Sequence, residues 1–184
     1  DMEAERDVLR LEALGLDTPA DRSLLSGLRA RAGSRSEALE AIEEAIAEDP
    51  TQAADWLSYA NLLYEEGESS KALDAADKCL EIDRQCGGAW ALTATILAPK
   101  QNRLKEALKA AIHAVALDSG GVDLVLLKAD LLLADGQATE AEESLVKSLE
   151  KDAMNGELRA RIATRYLLDG RPEDAQNLLD TTPV

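Results

Sequence analysis

Apolar residues recur with helical spacing along most of the chain. Between residues 53 and 86, Trp56, Ala60 and Leu63 share one face of a helix, and a second apolar face follows Gly67. Apolar residues three or four positions apart are typical of amphipathic helices. The stretch therefore predicts two helices joined by a short turn. Because such a hairpin cannot bury its apolar face alone, we expect neighbours of the same design.

The same unit of 34 residues recurs five times in register, with one residue inserted in the third copy. We therefore predict an all-α chain made of an N-terminal helix and five repeats. Their bounds are 1–18 for the helix, then 19–52, 53–86, 87–121, 122–155 and 156–184 for the repeats.

Small residues mark two positions of each copy. The eighth position holds Ser26 in the first copy and Ala in the others, and the twentieth holds Ala throughout. Small side chains there would let the two helices of a hairpin approach closely. Glycine occupies the turn in four copies, where it can end a helix in a left-handed conformation. In the third copy Pro99 and a longer connection replace the glycine, so we expect an irregular break there.

These positions give the chain a family resemblance. An aromatic start, a glycine turn, an alanine at position 20 and a closing Asp-Pro pair are similar to the tetratricopeptide repeat. In the second copy the matching residues are Trp56, Tyr59, Ala60, Leu63, Gly67 and Ala72, after Asp49 and Pro50. The resemblance covers about nine tenths of the chain and implies an α-α superhelix, a right-handed solenoid of antiparallel helix pairs. Arg22 and Arg159 depart from the aromatic at position 4, and Lys128 departs at position 7.

The resemblance also implies a binding surface. In this family the first helix of each pair lines a concave groove, chiefly through positions 2, 5, 9 and 12. We expect the groove to bind an extended peptide or an amphipathic helix of a partner protein. The groove residues carried over in this way are Leu57, Asn61, Tyr64, Ala91, Thr95, Leu126, Asp130, Leu133, Thr164 and Leu167.

One subtype of partner is not expected. Chaperone-binding members hold a C-terminal carboxylate with lysines and asparagines spread over three repeats. The corresponding positions here are Ser23, Gly27, Ser58, Gly88 and Leu92, or, one repeat later, Leu57, Asn61, Leu92, Asp123 and Leu127. Neither set supplies cations, and Asp123 would repel a carboxylate. A chaperone C-terminal carboxylate is therefore excluded as the ligand.

The N-terminal segment has three interpretations. Ala4, Val8, Leu11 and Leu14 form an apolar stripe that Gly15 closes. The segment is the second helix of a truncated upstream repeat, a helix that caps the array, or an internal ligand of the groove.

Charge favours a protein partner over nucleic acid. The formal net charge is −16, whereas nucleic acids and anionic membranes attract clustered positive charge. The third copy alone is positive, with a net charge of +2. Its loop residues Lys100, Arg103 and Lys105 are either a docking point for an acidic partner or a solvated loop.

No apolar run is long enough to span a membrane, and Cys79 and Cys86 form neither a zinc pattern nor a disulfide framework. The compartment stays open between the cytoplasm and, in a bacterium, the periplasm.

Residues for chemistry are scarce. His113 is the single histidine, and no nucleophile or acid is placed by spacing to work with it. Phosphate-binding glycine loops and metal motifs are absent from the sequence. We therefore expect a non-enzymatic scaffold or adaptor without cofactor or metal. The alternative is a self-assembly module that stacks through the ends of the array.

Overall fold

The computed structural model describes residues 6–7, 10, 13–14, 18–117 and 121–180. Within these ranges the chain is all-α, and its regular elements are ten α-helices and one short 3₁₀ helix. The helices are α1 (Pro19–Ala32), α2 (Arg35–Glu48), α3 (Ala53–Glu65), α4 (Ser69–Ile82), α5 (Gly87–Leu97), α6 (Leu104–Ala116), α7 (Gly121–Ala134), α8 (Ala138–Lys151), α9 (Gly156–Leu168) and α10 (Pro172–Asp180). The all-α fold class is confirmed.

The chain forms two compact units, Asp1–Thr93 and Ala94–Val184, and their boundary lies inside α5. In the first unit α1 pairs with α2 and α3 with α4, while α2 packs on α3. In the second unit α7 pairs with α8 and α9 with α10, while α6 packs on α7 and α8 on α9. Consecutive helices are therefore neighbours from α1 to α4 in the first unit and from α6 to α10 in the second.

The small residues at positions 8 and 20 are buried, as predicted. In the second copy Ala60 and Ala72 are both fully inaccessible to solvent. Ser26 replaces alanine at position 8 in the first copy, and its hydroxyl donates to the carbonyl of Ala38 at 2.8 Å. Because a buried hydroxyl needs a partner, this hydrogen bond explains how serine fits there.

Glycine ends the first helix of four hairpins in the left-handed conformation that the sequence predicts. Gly67 has φ of +83°, and Gly33, Gly136 and Gly170 are also positive. In the third copy, α5 ends at Leu97 and a 3₁₀ turn, Gln101–Arg103, precedes α6. The predicted break at Pro99 is confirmed.

Arginine replaces the aromatic side chain at position 4 in two copies. In the second and third copies, Trp56 and Trp90 donate from Nε1 to the carbonyl six residues upstream, each at 2.9 Å. Arg159 donates to the carbonyl of Ala153, also six residues upstream, at 3.4 Å, and its guanidinium also reaches Leu178 O. Arg22 instead pairs with Glu44 and Glu48 of α2. A long cationic donor thus occupies the aromatic position in the first and last copies.

Arg171 connects three helices at the end of the second unit. Its guanidinium contacts Glu142 of α8 at 3.0 Å and Asp174 of α10 at 2.7 Å. It also lies over the ring of Tyr166 in α9, 4.1 Å from the centroid. The hydrogen bonds to Asp174 and then to Glu142 raise the pKa of Arg171, so the charge is retained at every physiological pH.

The N-terminal stripe falls mostly outside the described residues. This holds for Ala4, Val8, Leu11 and Gly15. Leu14 is described, and 70% of its side chain is exposed. The three interpretations of this segment remain predictions.

Candidate partner-binding surface

In the first unit, the outward side of α3 carries Asn61 and Tyr64. Both are exposed, Tyr64 by 38%. Leu57 lies one turn before Asn61 and is half-buried. Its Cδ2 is only 2.9 Å from the point where a Cβ at Gly88 would be. Leu57 therefore packs against the start of α5, so a partner can meet only part of its side chain.

The candidate residues of α5 differ in accessibility. Ala91 is half-buried, and Thr95 is exposed one turn later. Thr93, between them, is buried and donates from its hydroxyl to the carbonyl of Ala89 at 2.8 Å. The outward side of α5 is thus made of small side chains.

In the second unit, three of the predicted groove residues line one cavity. It has a volume of about 90 Å³ and lies between α7, α8 and α9. Asp130 and Leu133 border it from α7, and Thr164 borders it from α9. The hydroxyl of Thr164 donates to the carbonyl of Ala160 at 2.8 Å. The structure therefore brings these three residues together.

Leu126 differs from the other candidates of α7. Its side chain is only 9% exposed and belongs to the apolar core. Because α7 is apolar on most of its circumference, sequence spacing alone does not separate its core face from its outer face. Leu126 is better described as a packing residue, and little of it is left for a partner.

Sequence analysis missed the cation at this surface. Arg161 of α9 forms an ion pair with Asp130 of α7, and about half of each side chain remains exposed. An exposed pair of this kind contributes little to stability, about 0–1 kcal/mol. It does give a counter-ion to Asp130, which is the one acidic side chain among the predicted groove residues. The sequence feature that could have placed Arg161 at this surface is its three-residue spacing from Thr164, which puts both on the same side of one helix.

Exposed leucines lie at the end of α9. Leu167, a predicted groove residue, is 57% exposed, and its neighbour Leu168 is 75% exposed. Leu168 lines the same cavity as Thr164. The last turn of α9 therefore presents apolar surface beside the cavity.

The predicted basic loop is partly neutralised. Arg103 contacts both carboxylate oxygens of Glu106, with a shortest distance of 2.6 Å, and this pairing lowers the pKa of Glu106. Lys105 is exposed and Lys100 is half-buried. The loop thus offers less free positive charge than its sequence suggests.

No cluster of metal ligands is found among the described residues. His113 is exposed on α6. In the ranges that the structure covers, no three His, Cys, Asp or Glu residues are placed to hold a metal ion. None of the helices in these ranges is long and apolar enough to cross a membrane.

Comparison with known proteins supports the repeat assignment. The family model described as "Tetratricopeptide repeat" matches residues 132–183. Comparison with curated proteins gives no match.

Solved structures share the fold over most of the chain. MamA from Desulfovibrio magneticus RS-1 is 18% identical with a TM-score of 0.74, and the match covers 89% of this chain and 92% of that one. YrrB, a TPR protein described as having an unusual peptide-binding site, is 20% identical with a TM-score of 0.70, covering 87% and 82%. A thermophilic TPR protein of Thermus thermophilus, TTC0263, is 20% identical with a TM-score of 0.60, covering 90% and 98%. At these identities the likeness establishes a helical-repeat fold and leaves the ligand open.

Proposed function

We propose that this chain, which belongs to the tetratricopeptide repeat family, is a non-enzymatic scaffold that binds a peptide or helix of a partner protein. The contact surface within each unit is the outward side of its first helices, α1 and α3 in the first unit and α7 and α9 in the second, termed here the first-helix face. The observation that carries the proposal is the cavity bordered by Asp130, Leu133 and Thr164.

The chemistry of this face suits a peptide with mixed side chains. Tyr64 and Leu167 offer apolar contact area, while Asn61 and Thr164 offer polar groups at neighbouring positions. A tyrosine combines a large contact area with few rotatable bonds, which makes it a frequent energetic centre of interfaces. The cavity in the second unit is large enough for a few side-chain atoms of the partner, which favours one small apolar anchor there.

Site-specific cross-linking tests this assignment. We would place a photo-reactive benzoylphenylalanine at Tyr64, at Thr164 or at the control position Ile82. Ile82 is 44% exposed and ends α4, a second helix. A partner peptide recovered from cell extract should cross-link from Tyr64 and Thr164 and not from Ile82. Cross-linking from Ile82 alone would place the contact on the other face and overturn the proposal.

Self-assembly is the second candidate function. The last hairpin presents Leu168 and Leu179 at 75% and 50% exposure, and large exposed apolar groups in one region are typical of interaction surfaces. Sedimentation over a range of concentrations separates the two functions. A monomer at every concentration would dismiss self-assembly, while association that Leu168→Ser/Leu179→Ser abolishes would favour it.

A further inference from the structure

A second recess in the second unit shares no lining residue with the cavity at Thr164. It is a cleft of about 430 Å³ between the last turns of α6, the first two turns of α7 and one side of α8. We call it the lysine cleft. Its lining residues are Ile112, Val115, Ala116, Gly121, Val122, Val125, Lys128, Ser144, Lys147, Ser148, Lys151 and Asp152.

The cleft has an apolar floor and a basic rim. Val125 is buried and Val115 and Val122 are half-buried, while Ile112 remains 43% exposed. Lysines 128, 147 and 151 stand around these side chains together with two serine hydroxyls. A largely apolar recess with a few placed polar groups is the usual composition of a binding site.

In this part of the chain the lysines lie together in the cleft, and most of the acidic residues lie outside it. Residues 122–155 contain three lysines and eight acidic residues. All three lysines line the cleft, and of the eight acids, all of them in the described range, Asp152 alone does. A segment with a net charge of −5, the difference of these counts, thus collects its positive charges at one place.

The pattern on α8 explains how the lysines come together. Ser144, Lys147, Ser148 and Lys151 recur at intervals of three, one and three residues, which places them in one stripe along the helix. The stripe runs beside the buried residues Ala141 and Leu145. Lys128, the departure from the repeat pattern at position 7, faces this stripe from α7.

Two of these lysines have no counter-ion in the part of the chain that the structure describes. Among the described residues, Lys128 and Lys147 form no ion pair or hydrogen bond, whereas Arg161, Arg165 and Arg171 of the same unit all contact carboxylates. Burial, and then the charge of Lys147, lower the pKa of Lys128. Two like charges held together without a partner cost free energy that an incoming anion would recover.

We infer that the lysine cleft is a docking site for an acidic amphipathic segment of a partner protein. Lys147 and Lys151 are one helical turn apart, a rise of about 6 Å. Acidic side chains one turn apart on a partner helix have the same spacing, and an apolar side chain between them would reach Ile112 and Val125. A simple anion would meet the rim and leave the apolar floor unused. The site would be a second surface, independent of the first-helix face.

The experiment selects peptides from a random 12-residue library displayed on phage, with the full chain as bait. We expect the enriched peptides to combine Asp or Glu with Leu, Ile, Val or Met at helical spacing. Binding of the synthesised peptides is then measured for two charge-reversal variants, Lys147→Glu/Lys151→Glu in the cleft and Lys71→Glu/Lys78→Glu on α4. All four lysines are exposed, and both variants change the net charge by the same amount.

The cleft variant should bind the acidic peptides at least about tenfold more weakly, because it reverses two rim charges, and the α4 variant should bind like the wild type. Ile112→Ser should also weaken binding severalfold, while Ile82→Ser should not. Equal losses in both charge variants would indicate unspecific attraction and overturn the proposal. Unchanged peptide binding in Ile112→Ser would show that the cleft recognises negative charge alone. Self-association of the chain that depends on Lys147 would show that the occupant is a second copy. Either result would contradict an acidic segment of a partner as the occupant.

Discussion

The indole Nε1 of Trp56 donates a hydrogen bond to the carbonyl oxygen of Pro50, 2.9 Å away. Pro50 lies in the connection between the first and second hairpins, so the tryptophan ties the first turn of α3 to the chain that precedes it. Trp90 makes the same bond to Arg84 one repeat later, at 2.9 Å. The aromatic residue at position 4 therefore fixes the junction between repeats in addition to packing there.

Replacing the indole measures this junction. Trp56→Phe keeps an aromatic ring, loses the donor and removes part of the packed surface. We expect the free energy of unfolding to fall by about 1–3 kcal/mol, since a hydrogen bond contributes about 1 kcal/mol and lost packing adds to it. Urea unfolding followed by circular dichroism measures the change. Trp90→Phe should give a loss of similar size, and an unchanged midpoint in both variants would show that the bond has no role in stability.

Replacing two glycines by alanine should change the free energy of unfolding in opposite directions. Gly67 has φ of +83°, a conformation that costs a side-chain-bearing residue about 1–2 kcal/mol. Gly27 lies inside α1, and a Cβ there would meet no atom within 4 Å. We expect Gly67→Ala to destabilise the protein by about 1 kcal/mol. Gly27→Ala should stabilise it by a similar amount, because alanine is the better helix former by about 1 kcal/mol. Thermal unfolding of both variants beside the wild type checks the two signs together.

The two cysteines should react at very different rates. Cys79 is fully buried, and burial together with the neighbouring Cys86 raises the pKa of its thiol to about 12. The thiolate is the reactive form, and the raised pKa leaves very little of Cys79 in that form at about pH 8. Iodoacetamide should modify Cys86 first in the folded protein, and both residues in concentrated urea. Peptide mapping by mass spectrometry identifies the site, and rapid labelling of Cys79 in the folded chain would contradict its burial.

Tyr59 should make stability fall at alkaline pH. Burial, and then the hydrogen bond that its hydroxyl donates to Glu43, raise its pKa to about 12. Because an unfolded tyrosine has a pKa of about 10, its contribution is complete below about pH 10 and is lost as the pH rises towards 12. Tyr59→Phe should therefore flatten the decline in unfolding free energy over that range. Because the pKa of Cys79 is also raised, the unfolding free energy of Tyr59→Phe should still decline, beginning at a lower pH. An equal slope in the wild type and in Tyr59→Phe would exclude a role for Tyr59.

Much of the fold could be predicted from the sequence because the repeat pattern is local. Helical spacing, turn glycines such as Gly67 and small residues such as Ala60 each act within one hairpin, so a single copy contains the information for its own structure. The break at Pro99 was visible for the same reason.

The candidate surface was harder to predict, since it depends on contacts between copies. The ion pair of Arg161 with Asp130 joins residues 31 positions apart. The spacing of Arg161 from Thr164 places the arginine on the same side of α9, but it does not identify Asp130 as the partner. Leu57 was predicted as a groove residue, but it packs against Gly88 in the next copy. The lysine cleft is likewise formed by three helices. The role of Lys128 could not be predicted from its own repeat position, because it depends on the lysines of α8 beside it.

The proposed function requires that a partner binds on the first-helix face. The most direct measurement is the affinity of the cross-linked partner peptide, by fluorescence anisotropy, for Tyr64→Glu/Thr164→Glu and for the control Ile82→Glu. All three side chains are exposed, so the fold should survive each change. We predict binding at least about tenfold weaker in the double variant, which corresponds to about 1.4 kcal/mol, and unchanged binding in the control. Equal affinity for the wild type and the folded double variant would show that the partner does not bind on this face.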